Sequence, residues 1–143
     1  MFERLKAWWN KSDGPGAPLP PEGVVRPLLN TSQRPTIVCL CGSTRFVDAF
    51  AKANLDQTLK GKIVLSIGCN MKSDAEAFAH FSEEEQETIK TKLDELHKRK
   101  IDLADEVLIL NVSDYIGKST MSELVYARTH GKTVWFWEPS KYA

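Results

Sequence analysis

A carboxylate, a run of hydroxyls and an imidazole are the groups in this sequence best placed to do chemistry. Glu123 stands in Ser119-Thr-Met-Ser-Glu123-Leu-Val-Tyr126-Ala127, a stretch with helical spacing. In the first turn or so of such a helix the dipole favours an ionised carboxylate, the state a nucleophile needs. Acidic residues favour first turns for that reason alone, so a purely structural role is equally physical. Cys41-Gly42-Ser43-Thr44-Arg45 is the second constellation. Gly42 permits a sharp exit from an apolar run. The free amides beyond it, with the Ser43 and Thr44 hydroxyls and Arg45, make a small anion-binding nest. A plain strand–helix turn capped by Ser43 or Thr44 accounts for the same residues.

His97 follows Asp94 by three residues, so the two share a helical face. Asp94 there is expected to hold the imidazole charged and oriented for proton transfer. The alternative is a core-facing histidine hydrogen-bonded to backbone. A third group runs through Asn111, Asp114, Tyr115, Gly117 and Ser119. Tyr115 could stack on a base or anchor its loop. Ile116-Gly117-Lys118-Ser119-Thr120 imitates a phosphate-binding P-loop, but that motif needs glycine five positions before Gly117, where Val112 stands. A triphosphatase site is therefore not expected. The cysteines are Cys39, Cys41 and Cys69. Cys39 and Cys41, on either side of Leu40, are expected on opposite strand faces as buried thiols. No second pair completes a zinc site, and Cys-x-Cys is not the redox Cys-x-x-Cys spacing. No metal or other cofactor is expected.

These groups need elements to position them. Thr36–Cys41 is a short apolar run closed by Gly42, hence a buried strand. Phe46, Phe50, Ala53 and Leu59 give a helical stripe ending near Gly61, and Ile63–Ile67 is a second strand. A loop runs from Gly68 to about Phe81. Ser82 and Glu85 then make a capping box that opens a long helix with Ile89, Leu93, Leu96, His97 and Ile101 as its inner stripe. Val107–Leu110 is the third strand. A helix from about Ser119 to His130 stops at Gly131, and Thr133–Trp137 is the last strand, closed by Pro139. This alternation predicts a doubly wound α/β fold, a Rossmann- or flavodoxin-like parallel sheet of about four strands in the order 2-1-3-4. Its crevice lies at the carboxyl ends of strands 1 and 3, which selects the loops at 41–45 and 111–119.

The chain has 143 residues, enough for one domain, with Lys+Arg and Asp+Glu balanced at 19 each. Zero net charge argues against backbone-driven binding of duplex nucleic acid. No apolar run approaches the roughly 20 residues of a transmembrane span. The opening residues lack the apolar stretch of a secretory signal, so a cytoplasmic protein is expected. Residues 1–33 hold five of the seven prolines and read as an extended arm ahead of a domain at 34–143. Within the arm, residues 2–9 set Phe2, Leu5, Trp8 and Trp9 on one side of a short helix. So short a helix must dock, on its own domain or a sister subunit in preference to a membrane surface, and a homo-oligomer is expected.

Four segments in order carry a resemblance: Cys41-Gly-Ser-Thr-Arg45, Leu103-Ala-Asp-Glu-Val107, Ser122-Glu-Leu-Val-Tyr-Ala127 and Gly131-Lys-Thr-Val-Trp135. Together they resemble the nucleoside 2-deoxyribosyltransferase-like superfamily, which includes N-glycosidases of deoxynucleoside 5′-monophosphates, over roughly residues 36–139. The resemblance implies that Glu123 attacks the deoxyribose C1′ carbon and that the Gly42-Ser43 loop holds the sugar or phosphate end. It also implies help from a neighbouring subunit in building the site. One position departs from the pattern. The family aspartate on the helix before strand 3 falls, by ungapped counting back from Asp105, on His97, with Asp94 one turn earlier. The leaving base would then take its proton from His97, with Asp114 as the fallback. The expected function is an N-glycosidic-bond hydrolase or deoxyribosyltransferase acting on small (deoxy)nucleosides or their 5′-monophosphates. The alternative, motivated by the departure, is a protein that binds such a nucleotide without turning it over.

Overall fold

The computed structural model describes residues 34–68 and 74–143. The arm at 1–33, its helix at 2–9 and Cys69 lie outside the described residues. Among the described residues, four strands make one parallel sheet: β1 (Ile37–Gly42), β2 (Ile63–Leu65), β3 (Glu106–Leu110) and β4 (Thr133–Phe136), in the order β2-β1-β3-β4. Helices α1 (Val47–Leu59), α3 (Glu83–Leu103) and α4 (Lys118–Thr129) make the crossovers. The fold is the expected doubly wound α/β sheet. Its winding reverses between β1 and β3, which pair from Val38↔Glu106 to Gly42↔Leu110.

Local chemistry explains most element ends. At the start of α3, Ser82 Oγ accepts from the Glu85 amide at 3.2 Å while the Glu85 carboxylate accepts from the Ser82 amide at 2.8 Å. Each bond satisfies an amide that has no partner inside the helix. The ends of α1 and α4 share one device. Gly61 and Gly131 take φ values of +76° and +69°, which L side chains resist. The amides of Lys62 and Lys132 then reach back to the Gln57 and Ala127 carbonyls. Strand β2 stops at Leu65 rather than Ile67, because its ladder with β1 ends at Cys39↔Leu65. The stretch expected as loop contains a short helix, α2 (Asp74–Ala77). No helix of the described residues is long and apolar enough to cross a membrane.

The sheet packs differently on its two faces. Val38, Leu40, Leu108 and Leu110 meet Phe50 and Ala53 of α1. Cys39, Cys41, Val107 and Ile109 meet Ile101 of α3 and Leu124 and Ala127 of α4. The two cysteines therefore share a face, contrary to the sequence expectation, since residues two apart on a strand point the same way and Leu40 alone turns over. The inner stripe of α3 is also narrower than its spacing suggests. His97 and Ile101 are buried, but Leu93 and Leu96 are 44% and 53% exposed. Both border an open cavity instead of core.

Candidate functional site

The cavity occupies about 750 Å³ at the carboxyl ends of β1 and β3, a size that suits a small organic ligand. Gly42, Ser43 and Thr44 reach it from the turn after β1. Asp94, His97 and Lys100 come from α3, and Tyr115, Gly117, Ser119 and Glu123 from the β3–α4 connection and α4. Ile67, Phe78, Leu93 and Leu96 make an apolar wall. Nine of the residues singled out from sequence thus border one space. Six of them lie in the two loops that the topological rule for such sheets selects, and Asp94, His97 and Glu123 come from α3 and α4.

Three others stand elsewhere. Asn111 is fully buried, and its side-chain amide is spent on Glu138, donating to the carbonyl and accepting from the amide at 2.9 Å each. It pins the chain beyond β4 to the end of β3 and is not free to hold a ligand. Asp114 is exposed in a 3₁₀ turn (Val112–Asp114), with φ of +56°, off the cavity wall. The Arg45 guanidinium lies 3.8 Å from the Tyr115 ring centroid, a cation–π contact, instead of lining the turn as an anion ligand. Phe46 meets Tyr115 edge-on at 5.9 Å. Tyr115 is thereby anchored at the rim, and a Cβ at Gly117 would lie 3.2 Å from its hydroxyl, so the ring would have to give by a few tenths of an ångström.

Glu123 is the sixth residue of α4, in its second turn rather than its first, and 8% exposed. The dipole argument does not govern it. Burial pushes its pKa up from 4.5 to about 7, against the pull of the His97 charge and the Cys41 thiol. The Asp94 charge pushes in the same direction as burial. A carboxyl in this state is ionised in part at neutral pH and can serve as either acid or base.

Asp94 does not orient His97. Its Oδ2 accepts from Ser119 Oγ at 3.3 Å, whereas His97 Nε2 lies 3.3 Å from Cys41 Sγ and 3.6 Å from Cys39 Sγ. Three residues along a helix turn the side chain by about 60° and carry it about 4.5 Å along the axis. Asp94 thus faces the α4 N-terminus while His97 faces β1. Burial works against the charged imidazole, but the Cys39 hydrogen bond and the Glu123 charge outweigh it, and the His97 pKa rises. The hydrogen bond from Cys41 lowers the Cys39 thiol to about 6, helped by His97 and opposed by burial. Burial first, then Cys39 and Glu123, drives Cys41 well up. The cysteines, expected as buried thiols on opposite faces, are thus the partners of the imidazole. The two-residue strand period was the signal that could have found their shared face.

Fold and site together define a doubly wound α/β protein with a cavity at its winding reversal, lined by both apolar and polar side chains, and two carboxylates, Glu123 and Asp94, in the cavity wall. No family model, curated protein or solved structure matches the chain.

Proposed function

We propose that the protein breaks the N-glycosidic bond of a nucleoside or nucleoside 5′-monophosphate, with Glu123 as nucleophile. The observation that carries this reading is the pairing of Glu123 with Asp94 on one cavity of small-molecule size. Two carboxylates on one sugar site are the equipment of a retaining glycosidase. In the first step a Glu123 oxygen bonds to the anomeric carbon as the carbon–nitrogen bond breaks. The bond's electron pair leaves on the base, which takes its proton from Asp94. Water activated by Asp94, or a second base, then releases the sugar from Glu123. Asp94 replaces His97 as proton donor in this scheme because the His97 nitrogen facing β1 is engaged by the cysteines. Ser43 and Thr44 suit the sugar or phosphate end, and Leu93, Leu96 and Phe78 suit the flat face of a base. A cytoplasmic homo-oligomer fits a substrate of this class.

A second reading, binding without turnover, draws on the Glu123 pKa of about 7. A carboxyl that keeps its proton can donate a hydrogen bond to a ligand. Incubation with the deoxynucleosides and their 5′-monophosphates, followed by chromatography for free base, separates the two. Release of base is expected, with Asp94→Asn slowing it by about 10²–10⁴-fold. Tight binding with no base released from any of them favours the second reading, and neither binding nor release sinks both.

A further inference from the structure

Cys39, Cys41 and His97 form a cluster that the glycosidic reading leaves unused. Their sulfur and nitrogen donor atoms all lie within 4.8 Å of one another. The fold explains why they meet: β1 sends both sulfurs to the face covered by α3, and His97 is where α3 crosses them. Both cysteines are fully buried and His97 is 5% exposed. Packing of apolar thiols accounts for buried cysteines. It does not account for an imidazole nitrogen set within hydrogen-bonding reach of both sulfurs.

We propose that Cys39, Cys41 and His97 bind one zinc-class cation, with Zn²⁺ the ion that fits the donors. Thiolate and imidazole donors select zinc over magnesium or calcium, which take oxygen. The spacing agrees as well. A tetrahedral zinc with Zn–S near 2.3 Å and Zn–N near 2.0 Å sets sulfur–nitrogen edges of about 3.5 Å. The two sulfur–nitrogen edges in the protein are 3.3 and 3.6 Å, already within tenths of an ångström of that value. Coordination sends the thiol protons to solvent. Three protein ligands leave a fourth position, filled by a solvent oxygen from the cavity that His97 borders. That cavity is also the route of entry. Glu123 is not a ligand in this arrangement, so the metal site stands whether or not the chain cleaves nucleosides.

The test uses the full chain without an affinity tag, stripped of metal by a chelator and titrated with Co²⁺. Tetrahedral thiolate-bound Co²⁺ shows a near-ultraviolet sulfur-to-metal charge-transfer band and intense visible bands. The expected result is saturation at one Co²⁺ per chain and loss of the bands when Zn²⁺ is added. Cys39→Ala and Cys41→Ala should each weaken or abolish the charge-transfer band, and His97→Gln should lose tight binding. Cys69 remains in every variant, so full-strength bands in the double variant Cys39→Ala/Cys41→Ala would overturn the proposal. Unfolding of the variants does not protect it, because folded wild-type protein that gains no charge-transfer band in excess Co²⁺ also overturns it.

Discussion

The two faces of the sheet are made by the same strands and hold opposite contents. Toward α1, Val38, Leu40, Leu108 and Leu110 close on Phe50 and Ala53 in a hydrocarbon contact. Toward α3 and α4, the same strands turn out Cys39, Cys41, Val107 and Ile109, and an imidazole and a carboxylate are set beside them. The pleat of β1 is what divides the labour, since adjacent residues must face opposite ways. The difference is energetic. Fully burying each large apolar side chain stabilises by about 1.5–3 kcal/mol, whereas raising Glu123 from 4.5 to about 7 corresponds to a cost of up to about 3 kcal/mol once it ionises. The hydrocarbon face offsets what the polar face costs, and the polar face is the one whose His97 and Glu123 border the cavity.

Four measurements test that contrast. The largest effect is expected from Glu123→Gln, which keeps the volume of the side chain but removes its nucleophilic charge. Base release should fall by several orders of magnitude while the circular dichroism of the fold is kept; undiminished release would remove Glu123 from the chemistry. Next comes Phe50→Ala on the other face. It should cost about 3–5 kcal/mol in urea unfolding. A loss below about 1 kcal/mol would show that the hydrocarbon face is not the anchor.

The third measurement is pH dependence in the metal-free protein. Glu123 keeps its proton in the folded state from its ordinary pKa of 4.5 up to about 7, a range in which the unfolded chain has lost it. The folded state then binds the extra proton, so stability falls as pH rises through this window, by up to about 3 kcal/mol. Glu123→Gln should flatten that fall between about pH 5 and about pH 7. Cys39, lowered to about 6, acts in the opposite sense at higher pH, so the comparison of wild type with variant is cleanest at the acid end. Parallel stability profiles for the two proteins would mean that the buried carboxyl is not protonated. The smallest effect is expected at the seam of the two faces. A Cβ on Gly42 would meet Leu110 Cβ at 3.0 Å and Phe50 Cζ at 3.4 Å, so Gly42→Ala should cost about 1 kcal/mol in thermal unfolding. No change would mean that the seam yields freely.

Much of the architecture could be read in the sequence because its signals are local. The capping pair Ser82 and Glu85 and the stops at Gly61 and Gly131 act on amides and carbonyls within a few residues. Continuous apolar runs at β1 and β3 need only their own side chains to declare burial. Strand order followed from the handedness of crossovers, and with it the meeting of Ser43, Asp94, Ser119 and Glu123 at one cavity. Partners were another matter. Asn111, a ligand candidate by its place in the crevice loop, has its partner Glu138 27 residues away. Arg45, an anion-ligand candidate by its place in the turn, is held by the Tyr115 ring.

The four strands and three long helices, their alternation and the loops that meet at the winding reversal follow from the sequence alone, since backbone propensity and the pattern of apolar side chains depend on neighbours along the chain. Only the tertiary structure decided the charge of Glu123 and the company of His97. Spacing along α4 pointed to the helix dipole, but desolvation by everything packed around the carboxyl prevails. Spacing along α3 pointed from His97 to Asp94, three residues off, but its partners are sulfurs 56 and 58 residues away. Proton affinity and ligation depend on neighbours in space, and those exist only once the sheet has brought β1 and α3 together.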